Sequence, residues 1–319
     1  AGGTSTITYT ITGTGGCSDA TATRDVVVTA APNAGTLSGT SAICSDGSTT
    51  FSSDGDSGGA WSSGSTGVAT VNSSTGAITP VAGGTSTITY TVTGSGGCSD
   101  AASTRLLTVA SDTYYVKPAA SGGSDANNGL STGTAFATLQ KAIDMVGCSS
   151  TTINVAAGTY TEEGIEIPDG TSNLTITGAG MGSTIFDGTQ SDRFLLINNS
   201  GDSDASGNSS GITISDMTIK EYRKTSGGGA AIKIEENITT VNLNNIKFES
   251  NQTTGNNLGH GGAVLIEDGC TVTLTGCTFE SNDAGYSSSS HFTKGGGLYS
   301  WGENANNSTL TLNSCIFSN

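Results

Sequence analysis

The chain of 319 residues carries 11 Lys and Arg against 27 Asp and Glu, a formal net charge of −16, with only 12% of its residues charged. That balance argues against nucleic acid or an anionic membrane surface as partner, because both need a cationic face. Nor does any apolar run approach the roughly 20 residues of a membrane-spanning helix. Glycine fills 48 positions, yet β-branched and small polar residues alternate regularly, as in Thr85-Ser-Thr-Ile-Thr-Tyr-Thr-Val-Thr93, Thr271-Val-Thr-Leu-Thr275 and Thr309-Leu-Thr-Leu312. A disordered chain lacks that alternation; with Gly and Asn as punctuation it predicts an all-β protein.

The first elements repeat. Ala1-Gly-Gly-Thr-Ser-Thr-Ile-Thr-Tyr-Thr10 recurs letter for letter from Ala82, and Gly15-Gly-Cys-Ser-Asp-Ala20 recurs from Gly96. The offset of about 80 residues is the size of one small β-sandwich. Residues 1–30 therefore read as the C-terminal part of one repeat and 31–111 as a complete one. Trp61 is large enough to fill the centre of such a sandwich, and in Val68-Ala-Thr-Val71 one set of alternate residues can turn inward. Trp61-Ser-Ser63, Val68-Ala-Thr-Val-Asn72 and Gly76-Ala-Ile-Thr-Pro-Val-Ala-Gly-Gly-Thr-Ser-Thr-Ile-Thr-Tyr90 resemble the bacterial Ig-like group 2 family. The resemblance implies a spacer or adhesive module of secreted or surface proteins, with no active site.

From residue 112 the pattern changes. Tyr114-Tyr-Val-Lys-Pro118 reads as a strand and Ser124-Asp-Ala-Asn-Asn-Gly129 as a turn cluster. In Ala135-Phe-Ala-Thr-Leu-Gln-Lys-Ala-Ile-Asp-Met-Val146, Phe136, Leu139, Ile143 and Val146 share one face, which predicts a helix with Thr134 as its N-cap. Ile153-Asn-Val-Ala-Ala-Gly-Thr-Tyr160 and Leu174-Thr-Ile-Thr-Gly-Ala-Gly180 follow. This order resembles the N-terminal end of right-handed parallel β-helices of the pectate-lyase-like superfamily, with Asn127-Asn128-Gly129 supplying the Asn-Gly turn. It implies that residues 112–319 are β-helix coils behind an N-terminal capping helix, which would cover the open end of the apolar core.

The later coils superimpose: Ile212-Thr-Ile-Ser-Asp-Met-Thr-Ile219, Val241-Asn-Leu-Asn-Asn-Ile-Lys-Phe248, Val272-Thr-Leu-Thr-Gly-Cys-Thr-Phe279 and Leu310-Thr-Leu-Asn-Ser-Cys-Ile-Phe317. Between them stand Gly228-Gly-Ala230, Gly261-Gly-Ala263 and Gly295-Gly-Gly297, one glycine turn per coil. Phe248-Glu-Ser-Asn251 and Phe279-Glu-Ser-Asn282 place Asn251 and Asn282 at one corner, where stacked amides can hydrogen-bond along the ladder. The chain opens and closes inside repeating motifs, so an export signal upstream and further coils downstream are expected.

Seven cysteines divide into two kinds. Cys17 and Cys98 are repeat equivalents and Cys44 lies early in the complete repeat, so a Cys44–Cys98 disulfide is expected, with the partner of Cys17 upstream; the competing reading is three free thiols. Cys277 and Cys315 occupy the inward position held by Met217 and Ile246 in earlier coils and read as core thiols. Cys148 and Cys270 lie beside turns and are left unassigned. None of the seven has zinc-site spacing.

Lys220-Glu-Tyr-Arg-Lys224 is the densest polar cluster on a coil. Lys220, Arg223 and Lys224 are accordingly the candidates for the base of a polysaccharide lyase, although the diagnostic lyase motifs are absent. Calcium is the one cofactor the loops suggest, at Asp54-Gly-Asp56 and at Asp202-Ser-Asp204; the second begins like an EF-hand but lacks the distal Glu. Both read better as solvated acidic turns, as do Asp125, Asn127 and Asn128, and His260 and His291 read as surface-loop residues. The sequence reads as that of a structural or adhesive extracellular protein. Its Ig-like stalk displays a β-helix that binds glycans, other surface proteins or its own copies. The alternative is a secreted polysaccharide lyase or glycoside hydrolase. The Ser/Thr/Gly-rich repeats also resemble large secreted proteins of Bacteroidetes.

Overall fold

Alternation and turn chemistry together build a chain that is strand and tight turn almost throughout. The structure, a computed structural model, describes residues 2–189, 191–199, 209–225, 227–254, 260–285, 295–301 and 308–318. It divides into two units, Ala1–Ala110 and Ser111–Asn319.

In the first unit Gly3–Ile11 pairs antiparallel with Ala20–Val28, and every residue of both strands is exposed. Its second hairpin, Gly84–Val92 with Ala101–Ala110, instead stands in a four-stranded sheet between Ala60–Ser63 and Ala42–Cys44. A three-stranded sheet of Thr49–Thr50, Ala77–Pro80 and Ala69–Val71 supplies the other layer. Between the layers lie Phe51, Trp61, Ala69, Ile78, Ile88, Tyr90 and Leu107. Trp61 packs on Tyr90 with ring centroids 4.7 Å apart. Ala69 is wholly buried while Thr70 is exposed, as period-two alternation requires.

The second unit is a parallel β-helix with three rows of strands. The first row, sheet A, runs through Thr113–Val116, Thr151–Val155, Leu174–Thr177, the first halves of Ser210–Lys220 and Thr239–Glu249, Thr271–Thr275 and Thr309–Asn313. Sheet B takes Gly158–Tyr160, Thr184–Asp187, the second halves of the two long strands, Thr278–Glu280 and Ile316–Ser318. Sheet C stacks Ile165–Ile167, Leu195–Ile197, Ile232–Ile234, Val264–Ile266 and Leu298–Ser300. All these pairings are parallel, the geometry that crossover connections impose.

Register places like residues above one another. Inside sheet A, Ile153, Ile176, Ile214, Leu243 and Leu274 form one column, and under sheet B the rings of Phe248, Phe279 and Phe317 stack 4.8 and 4.6 Å apart. The bend between sheets A and B needs one left-handed residue per coil. Asp216, Asn245, Gly276 and Ser314 fill it with φ of 61°, 51°, 64° and 53°, the short polar side chains and glycine that tolerate this region best. Asn245 donates to Asp216 across that corner at 3.1 Å.

The capping helix is shorter than the periodicity predicts. It spans Leu139–Ile143, and its N-cap is Thr138, whose hydroxyl accepts from Lys141 N–H, rather than Thr134. Residues 135–136 are drawn out of the helix because Phe136 joins the sheet edge: its N–H donates to Tyr115 O, and Lys117 N–H donates to its carbonyl. Leu139, Ala142 and Ile143 are buried in the β-helix core. The turn before them is held by Asp125, which accepts from Ala137 N, Thr138 N and Thr138 Oγ1 at 2.9–3.0 Å. Asn127 donates to Ala135 O and Asn128 accepts from Leu130 N. Gly129, at φ +70°, could carry no Cβ, which would lie 2.1 Å from the Phe136 ring.

The expected Cys44–Cys98 disulfide is not formed. Cys44 is in a disulfide, but Cys98 is a free thiol, as are Cys17, Cys270, Cys277 and Cys315. Geometry explains the miss. Cys44 pairs with Ala110 at one end of Ala101–Ala110, and Cys98 precedes the other end. A ten-residue strand is about 30 Å long, far beyond the Cα separation a disulfide spans. Sequence equivalence of Cys17 and Cys98 identified two copies of a hairpin turn, not a bonding partner.

Candidate functional site

Ionisable side chains concentrate where sheet B turns towards sheet C. Parallel register brings Asp187, Lys220, Glu249 and Glu280 into one column. Lys220 Nζ lies 2.8 Å from Asp187 and 3.5 Å from Glu221, and the Asp187 hydrogen bond raises the pKa of its ammonium against the opposing effect of burial. Lys247 bridges Glu249 and Glu280 at 3.1 and 3.0 Å. On sheet C, Lys233 likewise bridges Glu235 and Glu267, each at 3.0 Å. Lys247 and Lys233 each hold one carboxylate of their own coil and one of the next.

Below that column Lys224 pairs with Asp192. Burial works against the charge on Asp192, but the Lys224 hydrogen bond and the Arg193 N–H outweigh it and lower its pKa. Glu163 resists burial in the same way, accepting from the hydroxyls of Ser191 and Thr189. Arg193 is largely buried. Its Nε donates to Gly229 O at 2.8 Å and its Nη2 to Gly228 O at 2.7 Å, so the guanidinium clamps the glycine turn of the next coil. Arg223 Nε donates to Thr254 Oγ1 at 3.4 Å.

The three candidate bases therefore share one corner, but two of them are ammonium ions held by carboxylates. A lyase base must lose its proton near neutral pH; the environment of Lys220 shifts it the other way. The residues that shape the corner, Asp187, Asp192, Arg193 and Glu163, escaped sequence reasoning because they stand in loops and strand ends of an earlier coil. Only coil-to-coil register brings Asp187 beside Lys220 and Asp192 beside Lys224.

Glu162 is a half-buried carboxylate. It accepts from Leu139 N at 2.7 and 2.8 Å and from Gln140 N at 3.2 Å, closing the start of the capping helix. Burial raises its pKa more than these bonds lower it. Tyr222 donates its hydroxyl to Glu162 O at 2.7 Å.

Asp54 accepts from Thr36 N and Asp56 from Asn33 N, so both carboxylates latch a turn of the sandwich. Asp202 and Asp204 lie outside the described residues, as does His291. Among the described residues no three His, Cys, Asp or Glu side chains converge as metal ligands. His260 is buried rather than superficial, its ring 4.6 Å from that of Tyr299 and 6.4 Å from that of Trp301.

At the predicted amide corner, Asn251 is fully buried. Its Nδ2 donates to Ile219 O at 2.9 Å and to Asn282 Oδ1 at 3.0 Å, and Asn282 Nδ2 donates to Phe248 O at 2.9 Å. Cys277 Sγ donates to Leu243 O at 3.2 Å and Cys315 Sγ to Leu274 O at 3.6 Å. Burial pushes the Cys277 thiol up to about 11 and the Cys270 thiol up to about 12. These are structural groups. A groove of about 300 Å³ also opens beside the first coils, lined by Tyr115, Lys117, Thr132, Asn154 and Thr177 among others.

The class these observations define is a parallel β-helix in which Lys220, Lys224, Lys233 and Lys247 are each held by carboxylates of the coils. No family model and no curated protein matches the chain. Among solved structures it is similar to a rhamnogalacturonan lyase, with 14% identity and a TM-score of 0.37 over 65% of this chain. The chain spans about half, 51%, of that protein's length. No helix of the described residues is long and apolar enough to cross a membrane.

Proposed function

We propose that the chain is an extracellular binding scaffold, in which β-sandwich modules of the bacterial Ig-like kind (residues 1–30 and 31–111) carry a β-helix (112–319) that displays binding faces instead of cleaving a polymer. The carrying observation is the state of the basic groups at the polar corner. Lys220 and Lys224 are paired with Asp187 and Asp192, an arrangement that ties coil to coil and engages both side chains in holding the corner. Oxidised Cys44 and Cys148 suit an oxidising compartment, which supports an extracellular location. Glycans or neighbouring surface proteins are the partners this reading favours.

The test is release of unsaturated uronate from rhamnogalacturonan, pectate and alginate by the full chain, with and without Ca²⁺. The scaffold reading expects none. Release that disappears in Lys220→Ala or Lys224→Ala would replace it with a lyase.

A further inference from the structure

One inward column of the β-helix changes chemistry along the stack. At the first inward position past the bend between sheets A and B stand Met217 and Ile246, in register, and then Cys277 and Cys315. The ladder makes the last two direct neighbours. Thr275 pairs with Asn313 and Thr278 with Ile316; between them Gly276 N donates to Asn313 O, and Ile316 N donates to Cys277 O at 2.9 Å. Cys277 is fully buried, while Cys315 packs against the same core and is only partly buried. Cys315 Sγ leans back onto the coil of Cys277, donating to Leu274 O at 3.6 Å. Burial raises the Cys277 pKa to about 11, and the neighbouring Cys315 adds to the rise.

In-register neighbours on parallel strands stand about 4.8 Å apart, within the Cα separations of about 4.4–6.8 Å that a disulfide spans. Their Cβ atoms point the same way, so forming the bond draws them together to the spacing of about 3.8 Å usual in a cystine. A disulfide that pulls against its ladder is one that thiols reduce readily. Oxidised Cys44 and Cys148 show that disulfides form in this chain. Buried Cys270, by contrast, has main-chain carbonyls beside its sulfur, donating to Glu235 O at 2.9 Å.

We propose that Cys277 and Cys315 are a redox-responsive pair that closes reversibly into a disulfide between successive coils. The oxidant is a small disulfide of the glutathione kind. Cys315, the more accessible thiol, attacks it as the thiolate, forms a mixed disulfide and expels one glutathione thiolate. Cys277 then gives up its proton and displaces the second glutathione. Two protein thiols are thereby oxidised to one disulfide, and one glutathione disulfide is reduced to two thiols. Burial keeps Cys277 protonated, so the second step is the slower one. Excess thiol reverses both steps. The closed form cross-links two coils that the open form holds by ladder hydrogen bonds and packing, and so resists their unfolding. The inference does not depend on what the scaffold binds.

The test is incubation of the folded full chain with glutathione disulfide, then acid quench, alkylation in denaturant and peptide mass spectrometry. The expected result is a linked Cys277–Cys315 peptide that accumulates with the oxidant and disappears on adding excess reduced glutathione. The unfolding midpoint should rise as the link forms, and Cys270 should stay alkylatable. In Cys277→Ser the resolving thiol is gone, so Cys315 should keep glutathione as a stable adduct and the midpoint should not rise. Three outcomes in the wild-type chain would overturn the proposal: both thiols remaining alkylatable, Cys315 holding glutathione without linking, or Cys277 linking to Cys270. The wild-type peptide map decides this by itself even if the serine variant folds poorly.

Discussion

The same ten residues open the chain and recur from Ala82, and the two copies meet different surroundings. Both form the first strand of a hairpin with the same register, Ile7 opposite Arg24 and Ile88 opposite Arg105. In the second copy Ser86, Ile88, Tyr90 and Val92 are buried under Phe51, Trp61 and Ile78. In the first, Ile7, Tyr9 and Ile11 are each more than half exposed. Strand formation and hairpin register follow from local alternation and turn residues, so they are identical. Burial requires a covering layer brought from far along the chain, and residues 34–80 cover only one of the two hairpins.

That difference sets the size of several effects. The largest separates equivalent isoleucines. Ile88→Ala, at a fully buried site, should destabilise the sandwich by about 2–5 kcal/mol, whereas Ile7→Ala should stay within about 0.5 kcal/mol; denaturant unfolding followed by Trp61 fluorescence reads both. Equal losses would mean that the first hairpin is covered in solution. Next come the tyrosines. Tyr90 Oη donates to Asp56 O and accepts from Gly59 N, each at 2.9 Å, so Tyr90→Phe should cost about 1–2 kcal/mol. Tyr9→Phe should leave the unfolding midpoint unchanged.

Thiol chemistry sharpens the comparison by contrasting hairpin with coil. Cys17 is exposed and Cys98 partly so, while Cys270 and Cys277 are buried with raised pKa values. Alkylation near pH 8 should modify Cys17 and Cys98 quickly. The coil thiols should lag by about two orders of magnitude from thiolate fraction alone. Mass spectrometry of timed digests checks this, and equal rates would contradict the packed coil interior.

The smallest effect is electrostatic and belongs to the coils. The pKa of Asp192 is lowered in the fold, so its ionisation contributes stability above its unfolded pKa near 3.8, and that contribution is lost as pH falls through the lower folded value. The side chain is partly exposed, so the effect is modest. Asp192→Asn should flatten the acid limb of β-helix stability, and an unchanged limb would show that the Lys224 pair is not held in solution.

Much of the fold was legible because its signals are local. Alternation placed the strands, Trp61 marked the sandwich core, and the recurring Asn251 and Asn282 marked a corner whose amides bond from coil to coil. The helix was overextended because an apolar spacing of three and four cannot show that Phe136 is claimed by a β-bridge to Val116. The candidate site was half legible. Lys220, Arg223 and Lys224 stood out as a cluster, but Asp187 and Asp192, which hold Lys220 and Lys224, lie about 30 residues earlier, one turn of a solenoid away.

The amino-acid sequence by itself determined the all-β character, the repeated hairpin and the coil-by-coil rhythm of glycine and asparagine turns, since each depends on neighbours within a few residues. Tertiary structure alone decided which hairpin is covered, that Cys98 stays reduced while Cys44 is oxidised, and which carboxylate neutralises each lysine. Those outcomes depend on which strand lies above which, and stacking register is set by packing of the whole coil rather than by any one segment.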